Sequence, residues 1–155
     1  MTAQDIIVLN LQEVRRRPNK IWRGIPDAQL AWKPDETALS IGEMIRHVWE
    51  GSENYRRIVA HGGSLELPDS YADDPISSVE AKIAFATPLI EQLLEDIHGF
   101  TADDLTTKWI DRSDVGYRRT LGDFLARIAY HESVHAGQLF GYMRMARIER
   151  PDIWD

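Results

Sequence analysis

Residues 119–147 read RTLGDFLARIAYHESVHAGQLFGYMRMAR, and this stretch decides the fold. It opens on Thr120 with an acid three residues later, Asp123. A hydroxyl there can accept from an unpaired N–H of a first helical turn, and the acid favours the positive end of that helix. Apolar residues then keep to one face. Counted at about 100° per residue from His131, Phe124, His135, Gln138 and Tyr142 fall within roughly 40° of it. Ile128 lies about 60° away, and Leu121 and Leu139 about 80°. Two histidines therefore interrupt an apolar stripe from inside. They stand one turn apart, a spacing at which two imidazoles can grip one cation.

Working outward, the same start pattern recurs as Thr2 with Asp5, Ser40 with Glu43, and Ser77 with Glu80. The spacing predicts four helices, over about 3–23, 41–60, 78–98 and 121–147. Pro18 falls inside the first and Pro88 inside the third. Each removes a backbone donor and crowds the preceding turn, so a break or kink is expected, with the first helix stopping near Arg17. No alternating run is bounded by Asn-Gly or Asp-Gly, which predicts an all-α chain without strands. Three connections are long: 24–39 with Trp32-Lys33-Pro34, 61–76 with Gly62, Gly63, Pro68 and Pro75, and 101–119 with a short helical turn at Ala102–Leu105. Such lengths imply long crossings or ordered flaps at the ends of a bundle. Without a repeat or a composition break, 1–155 is expected to form one domain.

The charge balance narrows the function classes. With 18 Lys+Arg against 25 Asp+Glu, the net charge is −7, which argues against nucleic acid or an anionic membrane as partner. The dense basic clusters, Arg15-Arg16-Arg17 and Arg118-Arg119, read as solvated surface. There is no cysteine, which excludes disulfides, thiolate ligands and a cysteine nucleophile, so any metal must be held by His, Asp or Glu. No apolar run approaches the roughly 20 residues that cross a bilayer, and the first residues lack the basic start of a signal peptide. A soluble, cytoplasmic protein is expected.

On the second helix the apolar stripe is Ile41, Met44, Ile45, Val48, Trp49, Tyr55, Ile58 and Val59, and His47 lies on its flank. If that helix neighbours the last one, His47 can face His131 and His135. Three neutral imidazoles would then form one face of a coordination sphere and leave room for water or substrate. Spacing alone leaves the other reading open, in which these histidines are hydrogen-bonded core residues. His61 and His98 stand at helix ends beside glycines, where they serve as caps. A two-metal site built on Glu95 with His98 and Glu132 with His135 fits poorly. Glu95 lies about 140° from the buried Ile90, Glu132 sits on a flank, and His131 would be left without a role.

Two segments carry a family resemblance. One runs from Leu30 through Trp32-Lys33-Pro34 and Ser40 to His47; the other runs from Arg119 to Leu139 and contains His-x-x-x-His-x-Gly-Gln. In these the chain resembles the DinB-like superfamily of metalloenzymes, and the order of helices extends the likeness over nearly its whole length. The resemblance implies a four-helix bundle, up-up-down-down with long crossover connections. It also implies one zinc-, nickel- or iron-type divalent metal ion on His47, His131 and His135, and a homodimer. Better understood members use the metal to activate a low-molecular-weight thiol, which implies a metal-dependent transferase or a hydrolase of a small-molecule substrate. The alternatives are a non-catalytic metal-binding protein and a metal-free helical interaction module. Glu43 and Glu50, one turn either side of His47, are candidates to orient that imidazole or act as a base, and Gln138 and Tyr142 are candidates to line the pocket. No catalytic residue is assigned. Trp32, Tyr71, Trp109 and Trp154 are candidate dimer contacts.

Overall fold

The computed structural model describes residues 1–66 and 76–155; the expectations placed on Pro68, Tyr71 and Pro75 fall outside them. The elements are α1 (Ala3–Arg23), α2 (Ile41–His61), α3 (Val79–His98), α4 (Ala102–Thr107), β1 (Trp109–Arg112), β2 (Tyr117–Thr120) and α5 (Leu121–Met145). The long helices start where a hydroxyl can cap them. Thr2 with Asp5 and Ser40 with Glu43 close reciprocal capping boxes, and Thr120 accepts the Asp123 N–H. The third start is displaced by one residue, since Ser78 rather than Ser77 accepts the Ala81 N–H.

Neither proline interrupts its helix. α1 runs continuously through Pro18 and α3 through Pro88. Val8 and Leu11 before Pro18, and Ile21 and Trp22 after it, are all buried. Ile83 and Ala86 bracket Pro88 with Leu93 and Ile97 in the same way. Packing on both sides outweighs a local cost of about 3 kcal/mol.

α1 packs against α3 and α5, and α2 packs against the same two, so α1 and α2 stand at opposite corners of a four-helix bundle. The helix directions are legible in the contacts. Gln4 donates to the Phe100 carbonyl while Arg23 pairs with Glu80, which makes α1 and α3 antiparallel. Arg15 meets Glu132, and Gly24 lies beside Met143, so α1 and α5 run parallel. Trp49 meets Phe85 and Arg56 meets Asp96, which makes α2 and α3 parallel. The order is therefore up-down-down-up, not the expected up-up-down-down. Apolar periodicity marks the buried face of a helix but is the same read from either end, so it carries no direction.

The second correction is a hairpin. β1 and β2 pair antiparallel from Trp109 with Thr120 to Arg112 with Tyr117. Gly116, at φ 85°, closes their turn in the left-handed region. Ile110 is buried beneath the hairpin, and β2 feeds directly into α5, whose first N–H donates to the Lys108 carbonyl at 2.8 Å. Gly63 pairs with Asp111, and a Cβ there would collide with the Asp111 carbonyl. The hairpin fixes where α5 begins.

The core divides in two. Ile21, Trp22, Ile41, Ile45, Trp49, Leu139 and Met143 fill one end, and Val8, Leu11, Ile58, Leu93, Ile97, Leu125 and Ile128 fill the other. Between these clusters lies the level of Arg15, Ser52 and Glu132. Among the described residues no helix is long and apolar enough to cross a membrane.

Candidate metal centre

The site lies in the groove between α2 and α5, at the level where the two core clusters meet. The start of α2 is pinned to the preceding connection: the Ile41 N–H donates to the Trp32 carbonyl at 2.9 Å, and the Gly42 N–H to the Leu30 carbonyl at 2.8 Å. That anchor places His47 on the second turn. The hairpin anchors α5 from the other end and carries His131 and His135 to the same depth.

The three rings converge through one kind of atom. His131 Nε2 lies 3.1 Å from His47 Nε2 and 3.1 Å from His135 Nε2. The ring centroids are 4.5 to 5.1 Å apart, with steep interplanar angles. Among the described residues this is the one group of three metal-ligating side chains, with ligand atoms all within 4.8 Å of one another. His47 is exposed at the rim, and the other two are half-buried.

Spacing and chemistry both fit a divalent ion. Metal–nitrogen bonds of about 2.0–2.1 Å separate two ligand nitrogens by roughly 2.9 Å at a right angle and 3.3 Å at the tetrahedral angle, and 3.1 Å lies between. The His135 Nδ1–H donates to Gln138 Oε1 at 2.6 Å, which fixes the tautomer with a lone pair on Nε2. His131 Nδ1 is buried with no hydrogen-bond partner among the described residues. Among the described residues no carboxylate joins the three nitrogens in the cluster. Burial, then the charges of His135, His47 and Arg15, hold the His131 imidazolium down to a pKa of about 4. Burial and His135 lower His47 as well, against the opposing charge of Glu50. A neutral imidazole is the form that binds a metal.

Directly behind the site is a buried ion pair. Arg15 Nη2 donates to Glu132 Oε1 at 2.5 Å and to Ser52 Oγ at 3.0 Å, and Ser52 donates to Glu132 Oε1 at 2.7 Å. Arg15 is 8% exposed and Glu132 2%. The Arg15 guanidinium also lies 5.4 Å from the Trp22 ring. Arg15 thus does not belong to a solvated basic cluster, as its neighbours Arg16 and Arg17 do in pairing with Glu13. Glu132 is interior, with its Oε1 taken by Arg15 and Ser52. Glu95 and His98 are exposed, as is His61.

The remaining candidates separate cleanly. Gln138 sits on His135 as described. The Glu43 carboxylate is engaged at the helix start, where it accepts the Ser40 N–H at 2.7 Å. Tyr142 packs edge-on against Trp32 at 5.7 Å, two turns beyond His135, and its hydroxyl is held protonated by burial and by Asp35. The residue sequence reasoning read only as core is Tyr55. Its ring stands 5.5 Å from that of His131 and 5.7 Å from that of Phe124, and forms the far wall of the site. Burial raises its hydroxyl pKa.

Comparison with known proteins agrees with this geometry. The model of the DinB superfamily matches residues 10–139. A DinB-like protein from Bacillus subtilis is 22% identical at a TM-score of 0.70, over 95% of this chain and 96% of that one. YfiT from Bacillus subtilis is 14% identical at a TM-score of 0.77, over 94% and 89%. YfiT is described as "a probable metal-dependent hydrolase with an unusual four-helix bundle topology". At these identities the likeness carries the fold alone. No curated protein matches the chain by sequence.

Proposed function

The chain belongs to the DinB superfamily, and on that footing we propose that it is a metal-dependent enzyme acting on a small molecule. One divalent ion, of the zinc, nickel or iron type, is held by Nε2 of His47, His131 and His135. The reading rests on the meeting of those three nitrogens, with His131 Nε2 3.1 Å from each of the other two. When bound, the ion supplies Lewis acidity, which lowers the pKa of water or a thiol toward about 7.

The rest is done by side chains. Gln138 keeps the proton of His135 on Nδ1, so that Nε2 faces inward. Tyr55 and Phe124 wall one end of the groove with apolar surface, and Trp32 and Tyr142 wall the other, which suits a substrate with an apolar body. Glu50 bears on His47 and is our candidate to take a proton from an attacking water. For that reason we favour hydrolysis over thiol transfer, and the description of YfiT points the same way. No side chain here is assigned to hold a thiol.

The test is turnover of a panel of small esters and amides by tag-free protein loaded with zinc, nickel or iron. Hydrolysis that stops with chelator and returns with added ion is expected. Turnover only when a low-molecular-weight thiol and an electrophilic acceptor are both supplied would replace hydrolysis with transfer. Turnover indifferent to chelator would contradict both.

A further inference from the structure

α2 presents bare backbone to His131. A Cβ built on Gly51 would stand 3.1 Å from His131 Cε1, 3.7 Å from Nδ1 and 3.9 Å from Nε2. All three of its nearest neighbours belong to that one ring. Gly51 lies one turn past His47 on the same face of α2, so the residue that yields space to one candidate ligand follows the residue that carries another. The next position repeats the correspondence with a polar contact, since Ser52 donates to Glu132, the neighbour of His131. Two consecutive residues of α2 thus meet two consecutive residues of α5. Two of the three glycines of α5 differ: nothing lies within 4 Å of a Cβ on Gly137 or Gly141, while one on Gly122 would meet Leu105 rather than a site residue.

A glycine inside a helix weakens it relative to alanine. At Gly51 that cost is offset by the seat it makes for an imidazole. A contact of 3.1 Å is tighter than a side chain and a ring ordinarily tolerate, so a methyl there must displace the ring by a few tenths of an ångström. Nitrogens that bind one ion tolerate little displacement, because bond lengths at such sites hold to about 0.2 Å.

We propose that Gly51 is a positioning residue of the metal centre: it sets the depth at which the His131 ring lies, so that its Nε2 meets those of His47 and His135. This rests on the metal reading given above. The test compares wild type, Gly51→Ala, His131→Ala and the double variant, each measured metal-free for melting temperature and titrated by calorimetry with zinc, or with nickel or iron(II) should wild type take up no zinc. Gly51→Ala is expected to bind zinc at least tenfold more weakly than wild type. With the ring removed, in the His131→Ala background, the same substitution is expected to raise the melting temperature more than it does in wild type. Binding by Gly51→Ala within threefold of wild type overturns the proposal, as does an equal thermal effect with and without the ring. Should Gly51→Ala fail to fold alone, rescue by His131→Ala supports the seat and absence of rescue overturns it. A wild type that takes up none of zinc, nickel and iron(II) removes the metal reading and this role together, whereas failure of the Gly51 arms alone leaves the metal reading standing.

Discussion

His131 and Glu132 are neighbours in sequence and belong to two clusters built on opposite terms. Glu132 turns inward to Arg15 and Ser52, where opposite charges meet at 2.5 Å and a hydroxyl joins them. His131 turns outward to two more imidazoles, where like groups meet nitrogen to nitrogen at 3.1 Å. The first arrangement holds α1, α2 and α5 together at the junction of the two core clusters. The second weakens the imidazolium forms of His131 and His47. Groups arranged against their own solvation and charge mark places shaped by function rather than by stability.

Removing Glu132 should break the contrast most severely. Glu132→Ala leaves the Arg15 charge buried without its partner and is expected to cost about 3–5 kcal/mol in urea unfolding. Replacing both partners with apolar residues, Arg15→Met with Glu132→Leu, is expected to lie closer to wild type than the single change. If the single change cost under about 1 kcal/mol, the pair would not be the clamp described here. On the other cluster, Gln138→Ala is expected to weaken zinc binding about tenfold or more while leaving metal-free stability within about 0.5 kcal/mol. Calorimetric titration beside thermal melting checks both halves.

Acid should distinguish the clusters too. The folded His131 pKa of about 4 lies below the ordinary imidazole value of 6.5. Between these values the unfolded chain binds a proton that the folded chain refuses, so metal-free stability should rise with pH from 4 to 6.5 and level off above. His131→Ala should flatten much of that rise, and an unchanged slope would show that the ring is not held neutral by its surroundings. The smallest effect is expected far from both clusters. The Lys20–Asp155 pair is solvated, and Lys20→Ala should leave the melting temperature within measurement error.

Much of the fold was legible because it is written locally. Hydroxyl and acid at fixed spacing mark Thr2, Ser40 and Thr120 as helix starts, and the apolar stripes of α2 and α5 give the faces on which His47, His131 and His135 lie. What was hidden depends on tertiary partners. Arg15 reads as the head of a basic run until Glu132 and Ser52 are placed against it. Gly51 reads as a weak point in a helix until the His131 ring is laid on it. Helix direction leaves no mark in periodicity, so the up-down-down-up order had to come from contacts such as Gln4 with Phe100. The hairpin did leave a sign, two short segments rich in aromatic and β-branched residues around Ser113–Gly116, but its turn lacks the two-residue signature of the commonest hairpins.

X-ray absorption by the zinc-loaded protein counts the imidazoles on the ion. One zinc per chain with three imidazole nitrogens at about 2.0–2.1 Å is expected, falling to two in His47→Ala. An ion bound by fewer than three imidazoles in wild type, or a spectrum that His47→Ala leaves unchanged, would contradict the convergence of α2 and α5 on a common metal.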